Sequence, residues 1–235
     1  MVFDSQGKLM SGQNGKKLNK EAKYFIISDA HVGTHNSRDF CNYSKLVPFL
    51  KDVYMNTHAV LILNGDFFDF SRSAKTHVIE KNPEIFDLLS ELEKNERLIK
   101  IKGNHDSSIN GEKQLSLNNS ILVLHGDIFE RTTCLFPWLK VFLDWGISIV
   151  ETVFKTHINR LLKKIFGYDR VSRRGIKIET KALEYLKNHP QYQAIIVGHS
   201  HTPKSDGKYH NSGCFTETNA DYIEITDTNI QLKSY

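Results

Sequence analysis

Cysteine is scarce in this chain. Its three copies, Cys41, Cys134 and Cys214, are widely spaced and odd in number, which argues against a disulfide framework or a thiolate-built structural zinc site and for a reducing, cytoplasmic compartment. Long apolar runs are missing too. The most apolar stretch, Leu135 to Val150, is broken by Lys140 and Asp144, so it is too short and too charged to cross a bilayer core about 30 Å thick. No basic-then-apolar pattern opens the chain, so neither secretion nor membrane spanning is expected. Internal repeats and low-complexity tracts are also lacking. What remains is 235 residues, 40% of them hydrophobic, enough to bury a substantial core as one globular unit.

Residues 1–20 are polar and rich in Gly, Asn and Lys, and read as a loose arm or short hairpin preceding a domain that spans 21–235. From Lys23 a pattern recurs, in which an aliphatic run of strand length ends in a polar residue or glycine. The runs are KYFIIS (23–28), AVLILN (59–64), RLIKIK (97–102), ILVLH (121–125) and QAIIV (193–197). Between the early runs, Leu46, Phe49, Leu50 and Val53 have the spacing of a crossover helix, and so do Ile85, Leu88, Leu89 and Leu92. Strand and helix alternate, and the strands are apolar almost throughout. That combination predicts an α/β fold with a buried sheet covered by helices. The tail differs: KYHNSGCF (208–215), DYIEIT (221–226) and NIQLKS (229–234) read as an antiparallel meander.

Ligands of open α/β sheets bind beyond the carboxyl ends of the strands. Those positions hold Asp29 and His31 after the first run, Asp66 and Asp69 after the second, and Asn104, His105 and Asp106 after the third. His125 and Asp127 follow the fourth run, and His199 and His201 the fifth. Carboxylate, imidazole and amide oxygen without thiolate favour Mn, Fe, Zn or Mg over softer ions. Residues i and i+2 of an extended or tightly turned segment project to one side, so Asp29 with His31, and His199 with His201, can each reach a common cation. Glycine before Asp66, Asn104 and His199 lets the backbone turn sharply. Each short motif has a plain alternative: a satisfied Asp and a surface His for DAH, an ordinary turn for GD and an Asx-type turn for GNHD, with GHSH the strongest by itself. Five of them at the ends of five separate strands do not arise readily as unrelated turns, and metal binding is the reading they share. The other histidines lack this context, with His35 the nearest to it in sequence.

The ordered set DxH, GDxxD, GNHD, HGD and GHxH resembles the calcineurin-like metallophosphoesterase superfamily over the span from Lys23 to the end. The resemblance implies a four-layer α/β/β/α sandwich of two mixed sheets and a dinuclear metal centre. One ion would be held by Asp29, His31, Asp66 and His201, and the other by Asp66, Asn104, His125 and His199, with Asp66 bridging. His105 would be the catalytic histidine and Asp106 its orienting partner, with Asp69 and Asp127 as supporting carboxylates. Two divalent ions, manganese first and Fe, Zn or Mg as alternatives, would activate a hydroxide for in-line attack on phosphorus.

The insertion between HGD and GHSH, about 130–180, bears on the substrate. Leu135, Trp138, Leu139, Phe142, Trp145, Ile149 and Val153 follow helical spacing, continued by Phe154, Ile158, Leu161, Leu162 and Ile165. Glu130 to Lys181 holds eleven Lys or Arg against five Asp or Glu, a net of +6 in a chain of net +4. A helical cap is expected there, packed on the sandwich or lining an apolar groove, with Arg173, Arg174 and Lys177 as anion contacts. GDFFDF, HGDIFE, LDWG, GHSHTP and HNSGCFTE resemble the UDP-2,3-diacylglucosamine pyrophosphatase-like branch. That branch implies a nucleotide-linked lipid pyrophosphate as substrate, and the basic cap itself suggests peripheral contact with the inner face of a membrane. Ala30, His105, Cys214 and Phe215 depart from the branch pattern. A general phosphodiesterase or nuclease acting on nucleic acid is the alternative, and a noncatalytic scaffold the third reading.

Overall fold

The computed structural model describes residues 15–19, 21–36, 39–130, 168–216, 218–227 and 229–235. In chain order its elements are β1 (Gly15–Lys16), β2 (Lys23–Ile27), α1 (Tyr43–Met55), β3 (Ala59–Asn64), α2 (Lys75–Lys81), α3 (Pro83–Lys94), β4 (Leu98–Ile101), β5 (Gln114–Leu117) and β6 (Ile121–Leu124). They continue with α4 (Asp127–Glu130), α5 (Tyr168–Lys187), β7 (Ala194–Val197), β8 (Lys204–Asp206), β9 (Tyr209–Asn211), β10 (Asp221–Thr226) and β11 (Asn229–Ser234).

Side-chain alternation along the strands decides the architecture. A strand that is apolar at successive positions must be covered on both faces. In β2 and β3, Ile27, Leu61 and Leu63 enter one core, whereas Ile26 and Ile62 enter a second. In β6 and β7, Ile121, Val123, Ala194 and Ile196 share that second core, and Leu122, Leu124, Ile195 and Val197 face a third. Three cores separated by two sheets make the four-layer α/β/β/α sandwich. One sheet runs β11-β10-β2-β3-β4 and the other β1-β5-β6-β7-β9-β8, and each mixes parallel and antiparallel pairs.

The helices cover the outer faces through the expected residues. Leu46, Phe49, Leu50 and Val53 of α1 and Ile85, Leu89 and Leu92 of α3 are buried against the first sheet, each side chain contributing about 1.5–3 kcal/mol. On the other side α5 buries Ile178, Ala182 and Leu186, one per turn. Its continuous course to Lys187 carries it past the expected end of the insertion near 180, because those three residues are needed to cover the second sheet.

Two further expectations meet the structure differently. Within the N-terminal arm, Gly15 and Lys16 pair in parallel with Ser116 and Leu117 at the edge of the second sheet. The remaining arm residues, 1–14 and 20, lie outside the described residues, as does the insertion from 131 to 167. The segment around Tyr209 does not join the tail meander. Gly207, at φ 55°, closes a β8–β9 hairpin that sets β9 in parallel against β7, so only β10 and β11 form the antiparallel pair. Among the described residues no helix is long and apolar enough to cross a membrane.

Candidate metal centre

The parallel strands β2, β3 and β4 end side by side in one sheet, and β6 and β7 in the other. Their C-terminal loops therefore meet at one edge of the sandwich. Backbone hydrogen bonds lock those loops together: Asp29 N–H donates to Gly65 O (3.1 Å), His31 N–H to Asp66 O (3.1 Å) and Val32 N–H to Phe67 O (2.8 Å). Across the sheets, His199 N–H donates to Asp29 Oδ2 (2.7 Å), and His125 Nδ1 bonds Asn64 O (2.9 Å).

The backbone here is strained. Asp29, His31, Asp66, His199 and His201 all sit at positive φ, between 50° and 67°, a region that non-glycine residues enter at a cost of order 1–3 kcal/mol. Such outliers persist where the surroundings over-determine them, and they cluster at functional sites. Gly103 shows why the third loop needs glycine. A Cβ there would lie 2.1 Å from Asp66 Oδ1 and 2.3 Å from Asp66 N, so contact with Asp66 excludes a side chain, and the residue needs no positive φ.

Three groups of side chains result: two separate trios, and a third, His31 with Asp69 and His105, that shares His31 with the first. Asp29, His31 and His201 converge, with His201 Nε2 3.2 Å and His31 Nε2 3.9 Å from Asp29 Oδ1 and the two imidazole nitrogens 3.4 Å apart. Asp66, His125 and His199 form the second, with His125 Nε2 3.2 Å from Asp66 Oδ2 and 3.2 Å from His199 Nδ1. Asp29 Oδ1 is buried without a hydrogen bond. An orphaned carboxylate oxygen facing two imidazoles fits a divalent cation, since nitrogen and oxygen donors at these spacings can share one ion.

The far sides of three of these rings are also held, as is usual for metal-binding imidazoles. His125 has Asn64 O. His199 Nε2 lies 2.7 Å from Glu130 Oε2, and Glu130 is ion-paired with Arg174. His201 adjoins Cys214, whose Sγ also accepts from Thr216 Oγ1 at 3.1 Å. Burial would raise the Cys214 thiol, yet the His201 imidazole beside it pulls it below its ordinary value. The Glu130 carboxyl is held down at about 2, first by the hydrogen bond with His199, against the opposing effect of burial, and then by Arg174.

His105 stands beside the first trio, its ring 4.7 Å from that of His31. Its Nδ1 is 2.9 Å from Asp69 Oδ1 and 2.7 Å from Ser71 Oγ. This corrects the role expected of Asp106. That buried carboxylate accepts N–H bonds from Gly103 (2.8 Å), Phe67 (2.9 Å), Asp66 (3.2 Å) and Phe68 (3.4 Å). Asp106 therefore clamps two loops, and Asp69 orients His105. The reason is geometric: adjacent residues of a tight loop direct their side chains apart.

The other expected residues are placed less closely. Asn104 is exposed, although it lies between Gly103 and His105, which both touch Asp66. Asp66 groups with the second trio only, so its bridging role rests on the resemblance. Asp127 begins α4, half-buried, and joins neither trio. Of the three basic residues on α5, Arg173 and Lys177 are exposed, and Arg174 reaches the site, its Nη2 2.9 Å from His199 Nε2. His35 belongs to neither trio; it stacks on Tyr43 and meets Asn82. Sequence reasoning missed Glu130, Ser71 and Arg72. Arg72 lies 3.5 Å from Asp69 Oδ2, half-exposed and over the Phe40 ring, and its only signal was its position three residues after Asp69.

The buried charges set how cations load. Burial works against the charged His201 and His125, but Asp29 pushes His201 up to about 10, and Asp66 with Asp29 pushes His125 up to about 9. For His31 burial outweighs Asp29, and it falls to about 4. The raised imidazoles stabilise the cation-free fold fully below their ordinary value of 6.5, and this stability fades as pH rises through 9 to 10. A cation needs the same lone pairs, so its affinity should climb across that window. Calorimetry in buffers of different ionisation enthalpy should record proton release on loading at neutral pH that disappears above the folded values.

This geometry has the form of a metallophosphoesterase centre on a two-sheet sandwich. The chain belongs to the calcineurin-like phosphoesterase family, whose model matches residues 22–203 and so takes in every candidate ligand. Among solved structures, a conserved Streptococcus pneumoniae protein described as a predicted phosphoesterase is similar at 17% identity over 91% of this chain and 88% of its own, with a TM-score of 0.41. A double mutant of Vps29 from Entamoeba histolytica is similar at 12% identity over 91% and 99%, with a TM-score of 0.39. No curated protein matches.

Proposed function

We propose that the chain is a dinuclear metal-dependent phosphohydrolase cleaving a phosphodiester or pyrophosphate bond, with a nucleotide-linked lipid pyrophosphate of the UDP-2,3-diacylglucosamine type as substrate. The observation that supports it is the pair of imidazole–carboxylate trios, tied together by the His199 N–H bond to Asp29 and flanked by His105. When bound there, two divalent cations, Mn²⁺ first, would lower the pKa of a water and neutralise phosphate oxygens.

The protein's own residues supply the rest. Asp69 and Ser71 hold Nδ1 of His105, leaving Nε2 of a half-buried ring to give a proton to the leaving oxygen or a hydrogen bond to developing charge. Among the described residues, Arg72 and Arg174 each lie beside the site as cationic groups that would face a phosphate. The apolar, basic insertion would receive acyl chains and rest against an anionic membrane surface.

A panel with added Mn²⁺ tests the reading: UDP-2,3-diacylglucosamine, aryl phosphodiesters, aryl monophosphates and single-stranded DNA. Turnover of the nucleotide-lipid pyrophosphate is expected. Turnover of monoesters alone would exclude the pyrophosphatase reading, and preference for DNA with steep loss at high salt would favour a nuclease. His105→Gln should lower turnover by about 10²-fold with metal content unchanged, and equal turnover would remove His105 as the acid.

A further inference from the structure

His199 has both ring nitrogens engaged, and its Nε2 has partners of opposite kind. Nδ1 faces the second trio, 3.2 Å from His125 Nε2. Nε2 lies 2.7 Å from Glu130 Oε2 and 2.9 Å from Arg174 Nη2. A guanidinium can only donate, and an ionised carboxylate can only accept. The two neighbours therefore demand opposite states of the ring. A bond from Arg174 to Nε2 leaves the proton on Nδ1, where it blocks the lone pair directed at the trio. A bond from Nε2–H to Glu130 leaves Nδ1 bare. Only the second state can hold a cation together with Asp66 and His125.

We propose that Glu130 is a positioning residue that selects the Nε2–H tautomer of His199 and so completes the second cation site, with Arg174 holding Glu130 against the ring. The inference rests on the two-metal reading above. Glu130 is the last residue of α4, one turn beyond Asp127, and Arg174 comes from α5. Gly175 seats α5 against the histidine loop, since a Cβ there would lie 3.1 Å from Thr202 Oγ1. The docking of α5 thereby fixes the Glu130–Arg174 pair, and the pair fixes the ligand. Arg174 Nε is itself buried without a hydrogen bond, and its Nη2 carries the ion pair with Glu130.

The test uses the full chain, Glu130→Ala and Glu130→Gln, with Zn²⁺ and Mn²⁺ titrated by calorimetry and histidine tautomers read from long-range ¹H–¹⁵N spectra of the Zn²⁺-loaded protein. Wild type should bind two ions. Glu130→Ala should weaken one site by about 10-fold to 100-fold, leave the other unchanged and lose the Nε2–H signature of His199. Glu130→Gln keeps an acceptor oxygen and the side-chain volume, so it should lose less affinity and carries the test if the alanine variant does not fold. Two sites of wild-type affinity in the glutamine and alanine variants, or an Nδ1–H His199 in the loaded wild type, would overturn the proposal while leaving the two-metal reading intact. A wild-type chain that binds no ion would overturn both.

Discussion

Asp66→Ala should abolish measurable hydrolysis, with a loss on the order of 10⁴-fold, and should release the cation of the second trio. Asp66 Oδ2 lies 3.2 Å from His125 Nε2 while Oδ1 accepts the His105 N–H at 2.7 Å. One carboxylate thus anchors a candidate ligand and the loop carrying the candidate acid. Lewis-acid stabilisation of a phosphoryl transition state amounts to several kcal/mol, and each ~1.4 kcal/mol is a factor of ten in rate, so losing one ion accounts for the expected drop. Asp66 is itself held below the ordinary carboxylate range: burial would raise it, and the bond and charge of His125 bring it down. Its removal leaves His125 buried beside fewer negative groups, so the imidazole should titrate lower than in wild type. Metal analysis, single-turnover rates and histidine NMR titration of the variant check the three statements. Two bound ions with near-normal rates in Asp66→Ala would remove this carboxylate from the centre.

Much of this arrangement is legible in the sequence. The strands that carry the site are apolar at successive positions, so the first acidic or histidine residue within three positions of the last aliphatic one marks where the strand leaves the core. That one rule locates Asp29, Asp66, His125 and His199. What it could not reach depends on contacts between elements distant in sequence. Glu130 meets His199 because α4 and α5 pack together, and nothing in HGDIFE announces a partner 69 residues away. Cys214 lies behind His201 because β9 pairs with β7, and the spacing of the tail suggested a different neighbour. The left-handed backbone at five non-glycine positions is likewise silent in sequence, since aspartate and histidine tolerate it only under tertiary constraint. Gly103 misled in a subtler way: it reads as a turn residue but is required by the closeness of Asp66. Specificity is the least legible layer, because the insertion from 131 to 167 is amphipathic and basic under every reading of its role.

Asp106→Ala should cost the fold more than any other single change at the site, on the order of 3–5 kcal/mol. An acid that merely oriented His105 would predict the reverse, a stable protein with a slow reaction. The carboxylate is buried, and its two oxygens take four backbone N–H groups, from Asp66, Phe67, Phe68 and Gly103. Truncation strands those donors away from water, each unsatisfied group costing about 1–3 kcal/mol in isolation, and the sum is limited by relaxation of the loops. Asp106→Asn would be only a partial repair, since one amide oxygen can accept from at most part of the set and its NH₂ faces donors. Thermal denaturation should therefore rank wild type above Asn above Ala. The loops that move carry Asp66 and His105, so cation affinity should fall along with stability. Asp69→Asn supplies the contrast: the Asp69 side chain meets the His105 ring, Ser71 and Arg72, and takes none of the backbone N–H groups that Asp106 holds. That variant should melt close to wild type and lose rate, because a neutral amide holds His105 Nδ1 less firmly than the carboxylate does. Equal melting temperatures for Asp106→Ala and wild type would return Asp106 to the catalytic role that the GNHD motif first suggested.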